Sequence, residues 1–130
     1  MPNIVVERKG RLALLKGSHY FRVCGVFSIA FCMFALIVIV WRLFPELYGQ
    51  DVVPLHYNIH YGVDWTGAWW QIFILPVGGL GLLLVNGILA ALLVKREPML
   101  ANIVGAGTVV LTALIFLSTI FVVLLNIVYG

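Results

Sequence analysis

Three long runs with almost no charge, at 23–41, 72–94 and 99–129, constrain this chain more than anything else in it. Each reaches the ~20 residues that a helix needs to cross a ~30 Å hydrocarbon core. Inside such a core every backbone N–H and C=O must be satisfied internally, so the runs have to be helices. A composition that is 63% hydrophobic and 10% charged agrees, since a soluble domain carries about 25% charged residues. The expected fold is therefore an all-α integral membrane protein of three transmembrane helices. Its parts run as a tail at 1–19, a first span at 20–44, a loop at 45–70, a second span at 71–94, a turn at 95–98 and a third span at 99–129.

The cations set the orientation. Arg8, Lys9, Arg11, Lys16 and Arg22 precede the first run, Lys95 and Arg96 lie between the second and third, and Arg42 alone falls on the other side. The positive-inside rule then places the N-terminus in the cytoplasm, the 45–70 loop outside and the C-terminus outside. Charges ahead of the first run, and its length, argue against a cleavable leader. The net charge of +3 is spread along a membrane flank, without the basic face of a nucleic-acid binder, so nucleic acid is not an expected partner. Within 11–22, Leu12, Leu15 and His19 with Arg11, Lys16 and Arg22 suit either a frayed cytoplasmic tail that only follows the positive-inside rule or a short helix lying on an anionic leaflet.

The spans carry packing signals rather than chemistry. Cys24, Ser28, Cys32 and Ala35 put small residues on one stripe of the first helix, where neighbours approach closely. Eight residues part the two cysteines, roughly 12 Å along the axis, which is too far for a disulfide. In the third span Gly105, Thr112, Thr119 and Asn126 recur every seven residues, with Ala101 and Thr108 between them, as a helix-packing seam does. Counted from the 95–98 turn, Asn86 and Thr108 lie at one depth, roughly 12–14 Å in. They are expected to face each other, with Gly87 near Gly105 or Gly107. The absence of acids and bases from all three runs disfavours a transport path.

Pro54, His56, Asn58, His60, Gly62 and Asp64 alternate with Leu55, Tyr57, Ile59, Tyr61 and Val63 in the loop. That period of two predicts an extended segment with a polar face turned outward and an apolar face resting on the helix ends. Here sits nearly all the side-chain chemistry of the chain. His56 and Asn58 are expected to bond the loop backbone, Asp64 to cap a turn near Thr66 and Gly67, and Gly62 to take an unusual backbone angle. A shaped loop of this kind suits recognition of a protein, peptide or lipid partner. The alternative is a metal-dependent site acting on a lipid or external substrate, with zinc held by His56, His60 and Asp64 and one position left open. It requires a bent or helical segment, because two histidines four apart on a strand lie ~13 Å from each other. No nucleophile motif or nucleotide-binding loop is present, so apart from that alternative neither catalysis nor a cofactor is expected.

The residues Pro54-x-His56-x-Asn58 followed by Gly62-x-Asp64, just after a first membrane helix, resemble a bacterial family. It is the membrane domain of unknown function at the start of sporulation-delaying-toxin immunity proteins, found also in many small membrane proteins. The likeness covers roughly 38–91, and His60 falls outside its pattern. It implies a three-helix protein of the bacterial inner membrane, with Pro54, His56, Asn58, Gly62 and Asp64 in an extracytoplasmic loop between the first two helices; an accessory subunit or immunity-like factor is the role expected of such a loop. Homo-oligomers and other membrane proteins are the further partners this reading allows.

Overall fold

The structure, a computed structural model, describes the backbone of residues 3–47 and 49–129 and the side chains from His19 onward, Tyr48 excepted. Three helical segments are long and apolar enough to span a membrane, His19–Leu47, Trp69–Leu93 and Pro98–Tyr129. Helix α1 runs over Asn3–Val38, a π-helical turn over Ile39–Leu43 and the short α2 over Phe44–Leu47. Strands β1 (Val53–Asn58) and β2 (Gly62–Gly67) follow, then a 3₁₀ turn at Trp69–Phe73, helix α3 (Ile74–Leu93) and helix α4 (Pro98–Tyr129).

The first span departs from expectation at both ends. The α1 backbone is continuous from Asn3 through Arg22, so no bend lays 11–22 across the helix axis as a separate surface helix. The side chains of Arg8, Lys9, Arg11 and Lys16 lie outside the described residues. At the other end Pro45 does not stop the helix. The Phe44 N–H reaches the Ile39 carbonyl, one residue further back than in an α-helix. That wider turn makes room where a proline ring would otherwise strike the carbonyl four residues before it, and the helix continues to Leu47. Pro76 meets no such conflict, because it falls in the first turn of α3. Pro98 opens α4, at the position where a missing N–H costs nothing. The Glu97 and Arg96 N–H groups both donate to the Leu93 carbonyl, closing the tight turn between α3 and α4.

The small-residue stripes are the interior. Cys24, Ser28, Cys32 and Ala35 are buried on α1, and Ala101, Gly105, Thr108, Thr112 and Thr119 are buried on α4. Helix α4 packs against both α1 and α3. With lipid outside, no water is available to drive apolar surfaces together, so close backbone approach does the work. The threonines cost little in that setting, because each hydroxyl donates back within its own helix. Thr108 reaches Val104 O at 2.7 Å, Thr112 reaches Thr108 O at 2.9 Å and Thr119 reaches Ile115 O at 2.9 Å.

Gly79 marks a close crossing of α3 with α1 and α4. A Cβ there would stand 3.2 Å from Cys32 Sγ and 3.3 Å from Ile115 Cδ1, whereas one at Gly78 would meet nothing within 4 Å. Gly79→Ala should destabilise the bundle by about 1 kcal/mol, at the low end for overpacking. Gly78→Ala should be silent or mildly stabilising, as expected from helix propensity. Thermal unfolding of the two variants in the same detergent decides the point. Equal behaviour would mean that α3 does not cross α1 at Gly79.

Toward the strands the stripe changes character. Ile39, Leu43, Leu47, Val53, Ile72 and Val123 form one buried apolar cluster that ties the end of the first span to β1, to the 3₁₀ turn and to α4.

Candidate functional site

The stretch from Pro54 to Asp64 is not one extended segment but a hairpin. Strands β1 and β2 pair antiparallel as Val53 with Gly67, Pro54 with Thr66, Tyr57 with Val63 and Asn58 with Gly62. The chain reverses over Ile59, His60 and Tyr61. A three-residue loop needs a residue in left-handed backbone at its end, and Gly62 supplies it with φ +79°. Asn58 fixes the other side of the reversal. Its Oδ1 accepts the His60 backbone N–H at 2.9 Å, a side chain standing in for backbone as turn asparagines do. The two-residue alternation survives the reversal, because the register sets even-numbered residues of one strand across from even-numbered residues of the other.

That register explains the pair at the centre of the site. On both sides the pairing would set His56 across from Asp64. Locally it is irregular, and His56 is paired with Trp65 instead. The two side chains still meet, His56 Nδ1 lying 2.6 Å from Asp64 Oδ1. This corrects two expectations, since His56 bonds a carboxylate rather than loop backbone, and Asp64 is engaged across the hairpin rather than as a cap. The bond fixes the tautomer of the neutral ring, Nδ1–H donating to the carboxylate and Nε2 facing away. With the imidazole side chain 60% exposed and the carboxylate 33% exposed, the pair orients a ring more than it stabilises the fold.

The apolar parity behaves differently along its length. Leu55 and Val63 are half-buried, and Tyr57 stacks on Tyr129 with ring centroids 5.4 Å apart. Ile59 and Tyr61 do not rest on the helix ends. Both are 84% exposed, held at the tip by the reversal that was missed in the sequence. His60 sits in the same reversal, away from the strand positions of His56 and Asp64. Among the described residues no three His, Cys, Asp or Glu side chains gather as a metal-ligand set.

The hairpin is anchored from below. Asn126 Nδ2 donates to the Pro54 carbonyl at 2.7 Å and to the Val122 carbonyl at 2.8 Å, so the last member of the α4 seam holds the first half of β1. The sequence marked Asn126 as a packing residue and gave no sign of this bond. The one available signal was an amide-bearing side chain in a seam of glycine and threonine. At the hairpin end all four tryptophans, Trp41, Trp65, Trp69 and Trp70, are exposed, as rings are that sit where bilayer meets water. Trp69 meets Phe44 and Phe73 edge-on at 6.4 and 6.5 Å. Arg42 bonds Glu46 at 3.2 Å on the helix surface just before the loop.

Of the residues expected within the spans, Asn86 and Thr108 are brought together, Asn86 Nδ2 donating to Thr108 Oγ1 at 3.0 Å. Such a bond contributes about 0.6 kcal/mol in a membrane, enough to register two helices and too little to hold them alone. Gly87 and Gly105 line one cavity of about 400 Å³ with Asn86 and Thr108, so they lie at one level of the bundle. A Cβ on Gly105 would stand 3.4 Å from Cys24 Cβ, and one on Gly87 would meet nothing within 4 Å. The intimate contact at this level is α4 on α1. Compared with known protein families, curated proteins and solved structures, the chain matches none.

Proposed function

We propose that this is a non-enzymatic protein of the bacterial inner membrane whose hairpin recognises a partner at the outer bilayer surface, as an accessory subunit or immunity-like factor would. In this reading the N-terminus is cytoplasmic and the hairpin extracytoplasmic, following the distribution of lysine and arginine. The resemblance carried by Pro54, His56, Asn58, Gly62 and Asp64 points to the same surface.

The observation that carries the reading is the tip. Ile59 and Tyr61 are each 84% exposed, on a turn held in shape by the Asn58 side chain and the left-handed Gly62. Exposed apolar side chains on a preorganised support bind a partner without the entropy cost of ordering a loop. A photo-reactive residue at position 61, activated in native membranes, should give one discrete adduct, and Ile59→Ser should abolish it. A smear of adducts unchanged by Ile59→Ser would refute recognition by the tip.

A zinc site is the second reading, and the His56–Asp64 bond is what favours it. Zinc-ligating histidines generally donate their other ring N–H to a carboxylate. Such a metal would bind Nε2 of His56, with Asp64 acting behind the ring rather than as a ligand. Stoichiometric zinc in protein purified without chelators, lost in His56→Ala, is the result that would select it.

A further inference from the structure

We propose that the groove between β1, α3 and the last third of α4 binds one phospholipid, with an acyl chain along α4 and the phosphate under the hairpin. The proposal deepens the reading above, naming a ligand class for the hairpin's membrane-facing side while leaving the tip free for another partner.

The groove has a volume of about 700 Å³ and runs along α4 from Tyr129 to Ser118, roughly 16 Å at 1.5 Å per residue. Half of a ~30 Å hydrocarbon core is ~15 Å, so the groove is as long as one leaflet is deep. Its chemistry divides along that length. Leu75, Phe121 and Leu125 line the part nearer the bilayer centre, and His56, Tyr57 and Tyr129 line the rim beside the strands. An apolar trough that ends in polar groups at the interface matches the amphipathic order of a lipid. A peptide lying on the surface would leave the lower half of the trough empty.

The rim groups suit a phosphate. The stacked Tyr57 and Tyr129 are also hydrogen-bonded to each other, so one of their two hydroxyl protons remains to be donated to a phosphate from rings fixed against each other. His56 commits Nδ1 to Asp64, which leaves Nε2 for the ligand. A phosphate at the rim selects the ring that carries a second proton, so that Nε2–H donates to a phosphate oxygen while Asp64 accepts from Nδ1–H, a charge-assisted arrangement. Asp64 therefore acts here as a positioning residue that fixes the ring plane.

The full chain, delipidated in detergent, can be titrated by native mass spectrometry with phosphatidylglycerol, with diacylglycerol of the same chains and with glycerol phosphate. Phosphatidylglycerol should bind once per chain, and the other two about tenfold more weakly or worse, because each lacks one half of the recognised molecule. His56→Gln should weaken phosphatidylglycerol about tenfold, the loss of one hydrogen bond to a charged group, and leave diacylglycerol unchanged. Ser118→Trp should block both acyl lipids by filling the foot of the groove at an exposed position far from the hairpin. If His56→Gln fails to fold, Ser118→Trp decides alone. Equal binding of phosphatidylglycerol and diacylglycerol, or full binding in both variants, would overturn the proposal. A dimer that displaces lipid and disappears in Ser118→Trp would also overturn it, making the groove a contact between two copies. None of these failures touches the cross-link at position 61, which tests the tip separately.

Discussion

Leu43→Ala should lower stability by about 2–5 kcal/mol, the range for emptying a buried leucine site. Leu43 is 1% exposed and belongs to the cluster that joins Ile39, Leu47, Val53, Ile72 and Val123. Those residues come from the first span, β1, the 3₁₀ turn and α4, and the deleted methyl groups are shared among elements that cannot all move inward together. Val40→Ala is the control. Val40 lies three residues earlier in the same turn but is 54% exposed, and its truncation should cost well under 1 kcal/mol. Unfolding curves in one detergent compare the two, and equal losses would show that the cluster is not a core.

Asn126→Leu should act locally. It removes the donor that holds the Pro54 carbonyl at 2.7 Å, leaving a buried acceptor unpaired at a cost of about 1–3 kcal/mol. Part of that is returned, because Asn126 Oδ1 is itself buried without a hydrogen-bond partner among the described residues. Amide exchange should therefore speed up about tenfold across 53–67, a factor that corresponds to 1.4 kcal/mol. Exchange across the first two-thirds of α4 should not change. Acceleration spread evenly over α4 would mean that Asn126 serves helix packing and not the hairpin.

The gap between reading the chain and seeing it is instructive at particular residues. The α4 seam was legible because a helix repeats its face nearly every seven residues whatever surrounds it. Ala101, Gly105, Thr108, Thr112 and Thr119 are buried in that order. The pairing of Asn86 with Thr108 could be read by counting from the tight turn, since the rise of a helix is fixed. Passage of the helix through Pro45 could not be read, because the π-turn that permits it is a local solution with no periodic signal in the sequence.

The loop is the sharper case. Alternation from Pro54 to Asp64 is compatible with one long strand or with two short ones, since a period of two says nothing about where the chain reverses. Asn58 and Gly62 were marked individually for turn chemistry, yet only together do they close the reversal at Ile59, His60 and Tyr61. Once the chain turns there, His56 and Asp64 become neighbours and His60 is left behind at the tip.

The sequence by itself determined three apolar helices, their buried stripes and the crowding of polar chemistry between the first two. Those properties depend on composition and on the fixed periods of helix and strand. Tertiary structure alone decided that His56 meets Asp64, that Asn126 holds Pro54, and that β1 closes a groove over α4. Each of these joins residues far apart along the chain or on opposite strands. Such contacts follow from where elements dock, a choice made by packing and register rather than by any local preference.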